Sequence, residues 1–344
     1  MQCTLLIPHL FWPDETAASL TQGVELPQLT KLLARARCDR SSAIPSEGWL
    51  CEAFDVARQQ DWPIAALTLA IDGGNAGEGY WLRADPVHLN VTRDRLLLVD
   101  NTLFELCQEE AQSLVATLNE YFAASGLVLH ALHPKRWYAK LTRTPAIATR
   151  VISEVAGQDV RHHLPSGADA LAWHRLFNEI QMLLHEHPTN EGREARGEPP
   201  VNSVWLWGGG TRPSVSARHF QSVWSENVTA IALATAGGTH AESLPADAEM
   251  WLKSAATARP GASHLITLEG LATAVAYRDS EAWRTAVATL ESQWLAPLVR
   301  ALRANRLTGI TIVALGETHA SRFTLRRSDL LKVWRRRRLL SSYA

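Results

Sequence analysis

Residues 178–210 concentrate polar side chains and glycines whose types and spacing could bind a small anion. Asn190 and Arg193 follow a His-Pro pair, and Asn202 precedes a run that ends in three consecutive glycines. Arginine presents a rigid fork of donors that suits a carboxylate or a phosphate, and glycines let a backbone approach a ligand closely. The structural alternative is that the asparagines brace turns and that the glycines form a tight connection.

Hydrophobic spacing and prolines predict the elements that position these residues. Ile180, Leu183 and Leu184 fall on one face of a helix that we expect over residues 169–186. Pro188 ends that helix, because the residue before a proline avoids helical geometry. Residues 201–207 alternate like a strand, so the glycines at 208–210 are expected to form a loop after it.

The same segment carries a pattern that resembles a known family. His-Pro-x-Asn-x-x-Arg-x-x-x-Gly-x-x-Pro-x-Asn-x-x-Trp-x-Trp-Gly-x-Gly is formed by His187, Pro188, Asn190, Arg193, Gly197, Pro200, Asn202, Trp205, Trp207, Gly208 and Gly210. It is similar to the archaeal-type, cofactor-independent phosphoglycerate mutases of the alkaline phosphatase superfamily. The whole chain looks like a proteobacterial branch of that family, often labelled phosphoglycerate mutase or regulatory protein. The resemblance implies an α/β core with a mostly parallel sheet and an inserted α+β cap domain.

The order of predicted elements fits that division. Strands alternating with helices predict a core formed by residues 1–72 together with residues 205–344. A cap of residues 73–204 would begin at a glycine-rich loop. Further segments of the core are predicted as strands at residues 4–7, 228–236, 264–268 and 309–315, and as helices at residues 26–33 and 279–303, the last one kinked at Pro297.

The resemblance also implies a catalytic apparatus, namely two divalent metals held by Asp and His and an activated Ser or Thr. The first strand here runs into Pro8-His9-Leu10 where an Asp-Gly ligand motif would stand, and Ser46-Glu47-Gly48 is a poor match to the nucleophile turn. Four residues remain as weak candidates for a Mn or Zn site: Asp14, Glu269, Glu317 and His319.

A family-like motif beside incomplete metal motifs favours a catalytically degenerate mutase relative with a regulatory or binding role and no metal cofactor. The alternative is an active phosphoglycerate mutase, or another metal-dependent phosphoryl-transfer enzyme, with relocated ligands and Mn or Zn. A protein-interaction scaffold is the third possibility. If a phosphorylated small acid binds, its expected ligands are Arg136, Asn190, Arg193, Asn202, Trp205, Gly208 and Gly210.

Composition limits the classes of partner. The 344 residues carry a net charge of −1 and are 46% hydrophobic, which excludes a disordered chain and argues against nucleic acid. No apolar run approaches the ~18 residues that span a bilayer, and widely spaced cysteines predict a reduced, cytoplasmic protein. Lys332 and residues 335–338 form a basic run, which is either a solvated surface or a docking site for an acidic protein or membrane headgroups.

Overall fold

The computed structural model describes residues 1–216, 219–257, 259 and 261–344 and groups the chain into two compact units. Unit 1 comprises Met1–Phe54 with Ser216–Ala344, and unit 2 comprises Asp55–Val215. Residues 55–72 and 205–215, which the sequence placed with the core, group with unit 2 instead. None of the helices in the described part of the chain is long and apolar enough to cross a membrane.

The secondary structure comprises strands and helices in alternation. The strands are β1 (Gln2–Pro8), β2 (Arg37–Ser42), β3 (Tyr80–Val91), β4 (Leu96–Val99), β5 (Leu127–His133), β6 (Arg136–Leu141), β7 (Ser203–Gly210), β8 (Ser222–Trp224), β9 (His240–Glu242), β10 (Ser263–Thr267), β11 (Gly309–Leu315) and β12 (His319–Arg326). The α-helices are α1 (Ala17–Leu20), α2 (Pro27–Arg35), α3 (Ser46–Ala53), α4 (Ile64–Ile71), α5 (Gln108–Phe122), α6 (Ile152–Val155), α7 (Ala170–His185), α8 (Pro188–Ala195), α9 (Val228–Ala236), α10 (Ala248–Ser254), α11 (Ala272–Ala276), α12 (Ser280–Thr289) and α13 (Ala296–Arg303). Short 3₁₀ turns span Val160–His162, Ala255–Thr257, Arg327–Leu331 and Leu340–Tyr343, and a π-helical turn spans Leu290–Leu295.

Unit 1 is built on a seven-stranded sheet in the order β2-β12-β11-β1-β10-β8-β9. The five strands from β11 to β9 are parallel, and β12 and β2 complete one edge in antiparallel orientation. The central strands are almost continuously apolar, as expected for strands that are covered on both faces. Leu5, Ile266 and Ile312 from three of them share one buried core with α2, α10, α12 and α13. The predicted α/β class with a mostly parallel sheet is therefore confirmed.

The parallel strands bring the residues that follow them to one edge of the sheet, which we term the carboxyl edge. His9 follows β1, Ser225 follows β8, and Glu269 lies two residues beyond β10. In open α/β sheets this edge is where ligands bind. These positions are therefore candidates for a ligand site.

Two sequence predictions in unit 1 require correction. Residues 228–236, predicted as a buried strand, form helix α9, whose first turn is capped by the side chain of Asn227. Alanine is the best helix former, and this run has no hydrophobic period that distinguishes a strand from a buried helix. The long helix predicted over residues 279–303 is divided by the π-helical turn, and Pro297 lies in the first turn of α13 immediately afterwards.

Unit 2 is an antiparallel α+β unit centred on the twelve-residue strand β3. The sheet order is β4-β3-β6-β5, and β7 pairs with β3 along residues 81–87. Helices α5 and α7 bury Leu114, Leu118, Ile180 and Leu184 in one cluster with the sheet. Helix α4 packs Ala65 and Leu69 into a second cluster with Trp81 and Tyr138.

Candidate functional site

The arginine of the family-like motif is enclosed within unit 2. Arg193 is only 1% exposed, and its Nη1 donates to Oε2 of Glu110 at 2.8 Å. Its Nε donates to the carbonyl oxygen of Pro199, and its Nη2 to that of Glu105, both at 2.9 Å. The guanidinium is therefore neutralised by a carboxylate and fixes the chain around α5 and α8. These contacts favour the bracing interpretation over the predicted anion-binding role.

The two asparagines of the motif also bond to backbone. Asn190 donates from Nδ2 to the carbonyl oxygens of Leu184 and Val201, and its Oδ1 accepts from the Val201 amide. Asn202 accepts from the amide of Leu89 at 2.7 Å and donates to the carbonyl of the same residue at 3.0 Å. Asn190 thus ties the end of α7 to the approach to β7, and Asn202 extends the pairing of that segment with β3.

The glycines of the motif do not form a loop, which corrects the sequence prediction. Gly208, Gly209 and Gly210 are the last residues of the buried strand β7. A Cβ atom at Gly209 would lie 2.4 Å from Oη of Tyr80, and one at Gly210 would lie 2.5 Å from Cβ of Pro63. The missing side chains therefore admit close neighbours on both sides of the strand. Trp205 lies on the same strand and donates from Nε1 to the carbonyl of Arg150 at 2.9 Å.

Arg136, the remaining predicted anion ligand, is occupied by a carboxylate. Its Nε and Nη2 donate to the two oxygens of Asp72 at 2.9 and 2.5 Å, and the hydroxyl of Tyr138 donates to the same carboxylate at 2.5 Å. Burial alone would raise the pKa of Asp72, but the hydrogen bonds from Arg136 and Tyr138 outweigh burial, so that the pKa is lowered. This arrangement links α4 to β6.

Strand β3 carries a buried ion pair, Arg83–Asp85, that was not predicted from the sequence. Arg83 and Asp85 are joined at 2.6 Å, and Nε1 of Trp207 donates to the second carboxylate oxygen at 2.8 Å. The guanidinium carbon lies 5.4 Å from the ring centroid of Tyr138 and 5.2 Å from that of Trp207. Burial raises the pKa of Asp85 despite the adjacent arginine. The Arg-x-Asp spacing was the available signal, because residues two apart in a strand share a face.

A different set of polar side chains meets at the carboxyl edge of unit 1. Ser225 follows β8 and Thr267 ends the neighbouring parallel strand β10, and their buried hydroxyls are 2.5 Å apart. Ser225 Oγ also accepts from the Asn227 amide at 2.9 Å. Nδ2 of Asn227 donates to Oε1 of Glu269 at 2.6 Å, while its Oδ1 caps α9. We name these four residues, with Glu47 in the first turn of α3, the edge cluster.

The edge cluster holds a carboxyl group that titrates near neutrality. Burial raises the pKa of Glu269 to about 7; the hydrogen bond from Asn227 opposes this, and the charge of Glu47 adds to it. A carboxyl group with such a pKa can exchange a proton at physiological pH, as a general acid or base requires. Ser46, considered above as a poor match to the nucleophile turn, begins the helix that carries Glu47.

His9 stands at the same edge with strained backbone. Its φ is +56°, an uncommon value for a residue other than glycine, and its carbonyl oxygen accepts from Nε1 of Trp283 at 3.2 Å. Burial, followed by the charge of Arg278, lowers the pKa of His9, so that the imidazole is neutral at physiological pH. The hydrogen bond from Trp283 thus holds the backbone of His9 at this edge.

The four candidate metal ligands are not gathered into one group. Asp14 and Glu317 lie 3.9 and 3.3 Å from the guanidinium of Arg278 on the exposed surface. Glu269 belongs to the edge cluster, and Nδ1 of His319 lies 2.9 Å from Oγ1 of Thr318. Within residues 1–216, 219–257, 259 and 261–344, no three His, Cys, Asp or Glu side chains are arranged to hold a metal ion.

Comparison with known proteins supports the family resemblance. No family model matches the chain. A probable 2,3-bisphosphoglycerate-independent phosphoglycerate mutase of Geobacter sulfurreducens is 27% identical over 161 residues, which cover 46% of this chain and 39% of that protein. The corresponding mutase of Methanosarcina mazei is 22% identical over 207 residues, or 58% of this chain and 52% of that protein. This chain resembles the cofactor-independent phosphoglycerate mutases.

The extent of the likeness to the phosphoglycerate mutases is limited. The chain spans about half, or less, of the length of these curated relatives, with 39% and 52% of them covered. A solved protein of Pyrococcus horikoshii superposes with a TM-score of 0.55 at 12% identity, covering 94% of this chain and 87% of that one. The two chains therefore share a fold.

The expectation that the protein needs no metal cofactor is wrong. The relatives are named 2,3-bisphosphoglycerate-independent mutases, a class that uses metal ions such as Mn or Zn. The donor set in the described residues does not fit such an ion, because it offers no group of three potential ligands. We therefore assign no reaction step to a metal ion in this phosphoglycerate mutase-like chain.

Sequence reasoning missed most of the edge cluster. Glu269 was named as a possible ligand, but Ser225, Asn227 and Thr267 were not. Asn227 immediately before an apolar run is a typical N-cap signal for a helix. Interpreting that run as a strand concealed both the cap and the amide that reaches Glu269.

Proposed function

We propose that this chain is a phosphoglycerate mutase-like protein that does not catalyse the mutase reaction and acts instead through binding or regulation. The observation that carries the proposal is the edge cluster. Its side chains are hydrogen-bonded to one another: the Ser225 hydroxyl bonds to that of Thr267, and Asn227 donates to Glu269. A serine nucleophile needs an adjacent base, whereas the group 2.5 Å from Ser225 is another hydroxyl.

The pairing of the two predicted substrate-binding arginines supports the same proposal. Phosphoryl transfer requires positive charge around the phosphoryl oxygens, supplied by arginine, lysine or bound cations. The arginines predicted to bind substrate, Arg193 and Arg136, are instead paired with Glu110 and Asp72 within unit 2. Because all four cysteines are free, we place this function in a reducing compartment such as the cytoplasm.

One observation favours an active enzyme as the second candidate. The pKa of Glu269 is raised to about 7, and Asn227 bonds both to its carboxyl group and to the hydroxyl of Ser225. A metal-dependent phosphoryl-transfer enzyme related to the mutases could use such a group to accept a proton from a nucleophile. A phosphorylated small acid would then be the substrate, in keeping with the names of the relatives.

Conversion of 3-phosphoglycerate to 2-phosphoglycerate, measured with added Mn²⁺, Zn²⁺ or Mg²⁺, separates the two candidates. An active mutase from Methanosarcina mazei, assayed in parallel, serves as the positive control. We expect no turnover above background. Turnover at about 1 per second, an ordinary rate for an enzyme, would overturn the proposal, and its loss in Glu269→Gln would place the chemistry at the edge cluster.

A further inference from the structure

Residues 331–339 of unit 1 expose large apolar side chains between cations. Leu331 is 74% exposed, Val333 71%, Trp334 73% and Leu339 62%. Lys332 and residues 335–338 supply five positive charges in the same stretch. Surfaces that bind the interface of a bilayer combine these two features, because apolar side chains enter the acyl boundary while cations remain at the headgroups.

The segment is held in place by contacts on both sides of the exposed residues. Leu340 is buried in the core of unit 1. Nη1 of Arg335 donates to the carbonyl of Ala36 at 2.9 Å, and Nζ of Lys332 lies 2.6 Å from Asp329. The hydroxyl of Tyr343 accepts from the Arg338 amide at 3.1 Å and donates to the carbonyl of Thr30 at 3.4 Å. The outward presentation of the apolar side chains is thus fixed before any partner binds, which lowers the entropic cost of association.

Further cations from other elements extend the positive charge of this surface. Burial lowers the pKa of Lys31 on α2, and the charges of the nearby Arg303, Arg35 and Arg337 lower it further. Arg303 ends α13, and Arg337 belongs to the exposed segment itself. Cations that repel one another in this way create a local positive potential, although the chain as a whole has a net charge of −1.

We propose that residues 331–339, together with Lys31 and Arg303, form a docking surface for an anionic lipid membrane. The charge is complementary to acidic headgroups, which attract clusters of Lys and Arg near a bilayer. The apolar side chains decide between partners. A bilayer interface accepts protruding Leu, Val and Trp side chains without a matching groove, whereas the backbone of a nucleic acid offers them no apolar contact.

Co-sedimentation of the full chain with vesicles tests this proposal. We expect binding to vesicles of phosphatidylcholine with phosphatidylglycerol, weakening as salt is raised, and no binding to phosphatidylcholine alone. The double variant Arg336→Gln/Arg337→Gln should reduce partitioning about thirtyfold, at about 1 kcal/mol for each cation near the surface. Trp334→Ala should also weaken binding, while Met182→Ala, which removes a 76% exposed apolar side chain from α7, should not.

Three outcomes would overturn the lipid proposal. Equal binding to both kinds of vesicle would show that headgroup charge does not matter. Unchanged vesicle binding in the double variant would show that Arg336 and Arg337 do not contribute to membrane binding. Retention on polyglutamate or RNA without binding to acidic vesicles would assign the surface to an acidic protein or to nucleic acid. None of the variants alters a buried residue, and circular dichroism provides the check that each remains folded.

Discussion

Replacing Arg193 tests whether the family-like motif braces unit 2 or binds a ligand. Arg193→Ala deletes a guanidinium that is 1% exposed and donates to Glu110 and to the carbonyls of Pro199 and Glu105. Removing one partner of a buried ion pair costs about 3–5 kcal/mol. We expect about 3 kcal/mol, the lower end, because the Glu110 side chain is 17% exposed and keeps a second arginine, Arg196.

Arg196→Ala is the matched control. Arg196 contacts the same Glu110 carboxylate at 2.6 Å, and Glu198 at 2.8 Å, but its side chain is 51% exposed. Ion pairs at exposed positions contribute about 0–1 kcal/mol. Both variants remove a guanidinium from one shared carboxylate. The difference between their free energies of unfolding therefore reports the contribution of the burial of Arg193 and of its hydrogen bonds to the backbone.

Urea denaturation followed by circular dichroism measures the two costs, and hydrogen exchange over residues 187–206 shows whether the loss is in unit 2. Both variants are compared with and without 3-phosphoglycerate. A ligand at 100 times its dissociation constant stabilises a folded protein by about 2.7 kcal/mol, and bracing predicts that any such shift survives in Arg193→Ala. An Arg193→Ala protein that is as stable as the wild type but has lost the ligand shift would refute the bracing interpretation.

Two further predictions concern the edge cluster and the glycines of β7. The pKa of Glu269 is about 7 in the folded chain and about 4.3 in the unfolded chain, so the folded chain binds more protons there between about pH 5 and 7. Stability should therefore fall as the pH rises through this window. In Glu269→Gln the urea midpoints at the two ends of this pH window should be nearly equal. A variant whose stability falls with pH as steeply as that of the wild type would contradict the assignment. Gly209→Ala places Cβ 2.4 Å from Oη of Tyr80 and should cost about 1–3 kcal/mol. Gly197 has a φ of +75° but open space around a Cβ atom, so Gly197→Ala should cost about 1 kcal/mol. Equal losses of thermal stability in the two glycine variants would refute the steric argument.

Periodic elements were predictable from the sequence, and unpatterned apolar runs were not. Helices α2 and α7 and strands β1, β10 and β11 lie where spacing and prolines placed them. Residues 228–236 lack a period, so only the flanking Asn227 could have identified helix α9. Three consecutive glycines are typical of a loop, but in β7 they serve close packing, which depends on Tyr80 and Pro63 from distant parts of the chain.

The edge cluster could not be assembled from sequence because pairing between strands creates it. Ser225 and Thr267 meet through the parallel register of β8 and β10, in which Trp224 is opposite Ile266. The raised pKa of Glu269 depends on burial and on Glu47, which is more than two hundred positions away in the chain. Residue types at the strand ends suggested a ligand position, but neither the hydroxyl pair nor the titration near neutrality follows from local spacing.

The motif that carries the family resemblance is a poor guide to activity. Asn190, Arg193 and Asn202 bond to backbone or to Glu110 inside unit 2, so the same residues would be needed to fold an active or an inactive relative. Their presence therefore predicts the unit and not its chemistry. Chemistry depends on the side chains at the carboxyl edge of unit 1, where Glu269 has a pKa raised to about 7. The activity assay on the wild-type chain, followed by Glu269→Gln if turnover is found, is thus more informative about function than any substitution within the motif.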